Sequence, residues 1–171
     1  MTQQQICSVE IPWREPLDAF APLADQPWAL ALISGGAQSA ARWSILCAAP
    51  DKTLIAPDQG ALEQLAGQLQ PPRIEPSQHD FPFVGGWAGL LCYELGARLE
   101  NIDLLPDQIW PDLAFAHYPC CALFDHQTSR AWALGPDEAS ATAFEQQLGN
   151  TKTDLPGLPV LEPIHCPQTD D

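Results

Sequence analysis

The chain has 171 residues, with 7 Lys+Arg against 22 Asp+Glu and a formal net charge of −15, enough for one domain with a real core and too few for two large ones. So acidic a balance repels phosphate backbones and anionic lipid surfaces, which argues against nucleic-acid or membrane binding. No basic amino-terminal segment with an apolar core is present, and no apolar run approaches the ~20 residues of a membrane span, so a cytoplasmic location is expected.

Residues 1–13 end in V-E-I-P-W, the pattern of a short edge strand. Pro16 suits a first helical position, and Leu17, Phe20, Leu23 and Ala24 recur at helical spacing. Pro22 makes that helix short or broken. From Trp28 to Ser34, Trp28, Leu30 and Leu32 alternate with Ala29, Ala31 and Ile33. Two apolar faces predict a central strand covered on both surfaces. Gly35-Gly36 predicts a turn, Arg42 to Ala48 a partner strand stopped by Ala49-Pro50-Asp51, and Thr53 to Ala56 a further short strand. Gly60 to Gln70 carries Leu62, Leu65, Ala66 and Leu69 on one helical face, closed by Pro71-Pro72 ahead of a polar loop over 71–80.

The stretch from Asp80 to Glu100 sets Gly85, Gly86, Gly89 and Gly96 among large apolar residues. Glycine weakens regular structure, and it suits places where the backbone needs positive φ or where another backbone comes too close for a Cβ. The run therefore predicts a buried strand with neighbours pressed against it, turning helical around Tyr93 to Leu99. After a loop over 101–110, Leu113 to Phe124 and Arg130 to Leu134 read as a hairpin around Asp125-His126-Gln127-Thr128-Ser129. Asp137 suits the N-cap of a helix through Leu148, with Ala141, Phe144 and Leu148 on one face and Gly149-Asn150 ending it.

Residues 1–150 thus read as one domain, and 151–171, rich in proline and acidic at the end, as a linker or tail. Helices interspersed among hairpin-like pairs predict an α+β fold with a mainly antiparallel sheet and packed helices, not a regular β-α-β alternation.

Candidate chemistry is sparse. The six cysteines (7, 47, 92, 120, 121 and 166) include no C-x-x-C pair, and adjacent Cys120 and Cys121 on a strand point to opposite faces, so reduced structural thiols are expected. Gly85-Gly86-x-x-Gly89 lacks both the Walker and the dinucleotide spacings, which leaves tight sheet packing as its reading. His79, His117, His126 and His165 show no ligand spacing, and no G-x-S-x-G elbow is present, so no catalytic residue and no metal ligand is assigned. Tyr93 is expected to pack with its hydroxyl bonded, and Glu94 to pair with Arg98 four residues on.

One set of motifs is specific. Pro82 to Leu95 follows P-F-x-G-G-x-x-G-x-x-x-Y-[DE]-L. Pro27-Trp28-Ala29-Leu30 leads to Ser34-Gly35 and Arg42-Trp43-Ser44-Ile45, and Pro111-Asp112-Leu113-Ala114 leads to Asp125-His126-Gln127. In order and spacing, over roughly residues 10 to 135, these resemble the amino-terminal region of chorismate-utilising synthases, component I of aminodeoxychorismate synthase and of anthranilate synthase. The resemblance implies a domain of that architecture, cut before the carboxy-terminal chorismate-binding half, where the acidic Mg²⁺ ligands and the catalytic lysine of the family lie. It implies no cofactor in this chain, and a glutamine amidotransferase component II as partner. It also implies an L-tryptophan site at Ser34, Ala40, Ala41, Arg42 and Trp43, although Ala40-Ala41 stands where the family usually has an aromatic residue. Ile33 occupies the position of an acid typical of anthranilate synthases, so the resemblance leans to the aminodeoxychorismate branch. The competing class is a stand-alone binding or regulatory module with the same fold.

Overall fold

A computed structural model describes residues 6–34, 41–56, 60–69, 78, 80–100, 102 and 111–149, which form two antiparallel sheets with packed helices. In chain order the strands are β1 (Cys7–Ile11), β2 (Leu30–Leu32), β3 (Trp43–Cys47), β4 (Lys52–Ala56), β5 (Gly86–Leu91), β6 (Leu113–Tyr118), β7 (Cys121–Asp125) and β8 (Arg130–Gly135). The helices are α1 (Pro16–Phe20), which runs into a 3-10 turn at Ala21–Leu23, α2 (Gly60–Gln68), α3 (Tyr93–Leu99) and α4 (Glu138–Glu145). The larger sheet has the order β1-β8-β7-β3-β2 and the smaller β4-β6-β5. The fold is α+β and mainly antiparallel, as the sequence predicts.

Strand pleating sends alternate side chains to opposite faces. On one face of the larger sheet, Leu46, Ala122, Phe124, Ala131 and Ala133 meet Ala19 and Leu23 near α1 and Ala141, Phe144 and Leu148 of the α4 region. The run of alanines lets these helices lie close on the strands. On the other face, Cys47, Cys121, Leu123 and Leu134 pack against Ala116 and Tyr118 of the smaller sheet. A third, small cluster joins Ala56 and Leu113 to Leu62 and Leu65 of α2. Asp137 caps α4 as predicted, its carboxylate accepting from the Ser140 amide at 2.7 Å. Arg14, just past β1, closes the amino-terminal segment onto the end of α4: it donates to the carbonyls of Leu148 and Gly149 at 3.4 and 2.9 Å and to Glu145 Oε1 at 2.8 Å.

Several expectations need correction. The segment from Trp28 is not a central strand: β2 is three residues long and lies at the sheet edge. Trp28 itself has φ +63, and its carbonyl is held at 2.7 Å by the Tyr118 hydroxyl, so no extended ladder starts there. The two-faced apolar pattern reports cover on both surfaces, with Leu30 turned to the inter-sheet core and Ala31 to the helix layer, and an edge strand can have that too. The glycine-rich strand β5 is likewise an edge strand, with Leu90 and Leu91 exposed. Its glycines nevertheless have the predicted reasons: a Cβ on Gly89 would lie 2.1 Å from the Ala114 carbonyl oxygen, and Gly85 and Gly86 have φ +99 and +119. The single strand expected over Leu113 to Phe124 is two, because the chain crosses from the smaller to the larger sheet at Pro119-Cys120. In α1 the buried face is Pro16 and Ala19, followed by Leu23 in the 3-10 turn, while Leu17 faces outward. On α2, Leu62 and Leu65 are half-buried whereas Ala66 and Leu69 are exposed. The expected Gly35-Gly36 turn, the Pro71-Pro72 stop, most of the 101–110 loop and the 151–171 tail lie outside the described residues.

Candidate binding site

Three pieces of chain meet at the end of the larger sheet where β2 stops: residues 33–34 after β2, residues 41–44 at the start of β3, and the β7–β8 turn. The cross-strand register places Trp43 opposite Asp125 and Ser44 opposite Phe124. Asp125 faces the same side as Trp43, and Ser44 the helix side.

Arg42 donates through Nε and Nη2 to Asp125 Oδ2 at 3.2 and 2.8 Å. The carboxylate is buried, and its Oδ1 accepts the Gln127 amide at 3.0 Å, closing the turn. Burial works to raise the Asp125 pKa. The bonds from Arg42, Gln127 and Thr128 outweigh it and hold the carboxyl below its ordinary value. The Arg42 side chain keeps 36% of its surface exposed, with its guanidinium carbon 4.6 Å above the Trp43 ring. Two of its five N–H groups serve Asp125, and the Asp80 carboxylate adds to the negative field on the guanidinium.

Trp43 is one wall of an aromatic panel. Phe81 lies 5.9 Å and Trp132 6.1 Å from it, Phe81 and Trp132 are 5.1 Å apart, and Arg130 sits 4.9 Å over Trp132 while gripping Glu10. On the opposite side of β3, Ser44 is fully buried. Its Oγ accepts the Ser34 amide at 3.0 Å and lies 2.8 Å from His126 Nε2. One lone pair and the hydroxyl proton remain for His126 Nε2, so the ring can either donate to Ser44 or accept from it. The pair has the composition of a nucleophile and base, but a fully buried oxygen engaged by two partners holds structure and reaches no substrate. The His126 amide donates to the Arg42 carbonyl at 2.9 Å, and its ring meets Trp13 edge-on at 5.4 Å.

Of the sequence-predicted site residues, Ser34, Ala41, Arg42 and Trp43 come together here, whereas Ala40 lies outside the described residues. Arg42 is bound to a buried carboxylate and does not merely rest on the surface. Sequence reasoning missed Asp125, His126 and Ser44 as parts of the site, since they looked like turn and strand residues. The pairing register of β3 with β7 is what joins them to Arg42 and Trp43. Ile33 before Ser34 is exposed and offers no charge. Such a site can take an aromatic group on Trp43 and an anionic group on the open edge of Arg42.

Other candidates resolve differently. Tyr93 is 83% exposed and does not pack as expected, while Glu94 accepts the Cys92 thiol; the Arg98 side chain lies outside the described residues. An apolar groove of about 520 Å³ lies between α2 and α3, lined by Leu62, Leu91, Tyr93, Leu95, Leu99 and Ile102. Among the described residues, no group of His, Cys, Asp and Glu converges as a metal site, and Cys7, Cys47, Cys92, Cys120 and Cys121 are free thiols. Burial pushes the Cys47 thiol up to about 12 and raises Cys121 well above its ordinary value.

No family profile matches the chain. It is 31% identical over 154 residues to aminodeoxychorismate synthase component 1 of Klebsiella aerogenes, covering 78% of this chain and 34% of that protein. With the component of the same name from Salmonella typhimurium it shares 34% identity over 157 residues, with the same coverage, and with that from Escherichia coli 29% over 150 residues, covering 75% and 33%. The chain thus spans about a third of the length of these curated relatives. A folded domain of this extent, carrying the three motif stretches in order, is related to the amino-terminal domain of aminodeoxychorismate synthase component 1.

Proposed function

We propose that this chain is a non-catalytic amino-terminal domain in an enzyme that replaces the 4-hydroxyl of chorismate with ammonia, giving 4-amino-4-deoxychorismate for p-aminobenzoate and folate. The similarity over 78% of the chain to aminodeoxychorismate synthase component 1 carries the proposal. A carboxy-terminal half would hold chorismate and Mg²⁺, and a glutamine amidotransferase component II would deliver the ammonia. This domain's own part is to form half of the sheet scaffold and to seat L-tryptophan. The indole would lie against Trp43, the carboxylate on the outer edge of Arg42, and Ser34 would bond the backbone end of the ligand. Ile33 supplies no carboxylate for the ligand ammonium, which supports the aminodeoxychorismate branch over a feedback-inhibited anthranilate synthase.

Two measurements test this. Mass spectrometry of the protein enriched from its own cells is expected to show a polypeptide continuing well past Asp171, and that polypeptide should aminate chorismate with ammonia. A native chain ending at Asp171 refutes the enzyme reading and leaves the stand-alone binding module. Calorimetric titration with L-tryptophan is expected to give saturable heat that Trp43→Ala removes; heat unchanged by that substitution refutes the placement of the ligand.

A further inference from the structure

One turn holds both of the candidate ligand contacts. Asp125 grips the Arg42 guanidinium, and the adjacent His126 reaches Ser34 through Ser44. The ladder between β2 and β3 ends at Leu32 opposite Ile45. Two residues further on, the chain is tied to the sheet by a side chain, the Ser44 hydroxyl accepting the Ser34 amide. His126 clasps the start of β3 twice, by its amide to the Arg42 carbonyl and by its ring to Ser44, and Trp13 braces the ring from its edge. From these contacts we infer that Ser44 and His126 are positioning residues, a buried relay by which the β7–β8 turn sets where the Ser34 end of the site stands relative to Arg42.

The inference builds on the ligand reading above, yet its core is a geometric claim that can be tested without ligand. A hydroxyl has one proton. The Ser44 oxygen accepts the Ser34 amide on one lone pair and keeps its proton and a second lone pair for His126 Nε2, so the relay stands in either imidazole tautomer.

The experiment uses the full 171-residue chain. Amide exchange is compared at Ser34 and, as a control at the far end of β8, at Ser140, which Asp137 holds. Ser44→Thr keeps the hydroxyl and Ser44→Val removes it at nearly the same shape. The Ser34 amide is expected to exchange about tenfold faster in Ser44→Val and in His126→Ala, with Ser140 unchanged and Ser44→Thr like the wild type. Equal protection of Ser34 in His126→Ala and wild type overturns the relay. With L-tryptophan as the probe, Ser44→Val should bind about five- to tenfold more weakly, restored by Ser44→Thr. If the wild type gives no saturable heat, the ligand reading fails, and the Ser34 amide still decides the positioning.

Discussion

Removing the Arg42 guanidinium tests the electrostatic account of this end of the sheet. In Arg42→Ala the Asp125 carboxylate loses two hydrogen bonds on Oδ2, at 3.2 and 2.8 Å, and keeps the Gln127 amide on Oδ1. Breaking one side of a buried ion pair costs about 3–5 kcal/mol, chiefly because the remaining charge is left in low dielectric. Arg42 stands on the solvent side with 36% of its side chain exposed. Water can therefore take part of its place, and the cost lies well below that of a fully buried pair. The urea midpoint is expected to fall by more than about 0.3 M at pH 7. The sign of the pH dependence follows from the Asp125 pKa, which is lower in the folded chain than its ordinary value. The pair's contribution is complete above the unfolded carboxyl pKa of about 3.9 and disappears as pH falls through the still lower folded value. Urea unfolding of wild type and variant, followed by far-ultraviolet circular dichroism at pH 7 and again near pH 3, reads both effects. A midpoint within about 0.3 M of wild type at pH 7, or a gap between the two proteins that persists undiminished at low pH, would refute the reasoning.

Gly89→Ala drives a Cβ into backbone, 2.1 Å from the Ala114 oxygen and 2.6 Å from the Phe115 Cα. The β5–β6 ladder must shift, at a cost of about 2–3 kcal/mol and a melting temperature lower by about 5–10 °C; an unchanged melting curve would mean that the close approach is not rigid. The smaller sheet and its helices expose Ile55, Leu90, Leu91, Leu99 and Ile102, so the isolated chain is expected to self-associate, its light-scattering mass rising with concentration. A constant monomer mass across the series speaks against an unpartnered apolar surface. Iodoacetamide at pH 8 should leave Cys47 and Cys121 unlabelled in the native chain and label both in urea, since burial keeps their thiols protonated. Native labelling of either at the denatured rate would show that this core opens.

What was legible in the sequence was local. The Asp137 cap, the Pro16 start, the Gly85-Gly86 backbone and the strand at Trp43–Cys47 each depend on a few neighbouring residues, and each appears where their chemistry requires. Sheet membership was not legible, because it is decided by partners far along the chain. Nothing within Leu113 to Phe124 marks the crossing at Pro119-Cys120 as a change of sheet, and nothing within Leu30 to Leu32 marks an edge. Half of the candidate site shared this limit. Ser34, Arg42 and Trp43 stood out through motif order, whereas Asp125 and His126 became partners only through the register that sets Trp43 opposite Asp125.

The clasp of Arg14 on Glu145 and Gly149, partners 131 and 135 positions away, also bears on how the chain comes to fold. Among the described residues β1 pairs with β8, and its closing arginine holds the end of α4. At roughly 5–20 residues per second, β1 waits on the order of ten seconds for the residues it needs. Until then, Val9 and Ile11 have no sheet to join, while the β7–β8 hairpin can form from adjacent sequence as soon as it emerges. β1 is thus made well before the strand it pairs with. A chain truncated before Gly149 would lack part of the lock that ends that interval.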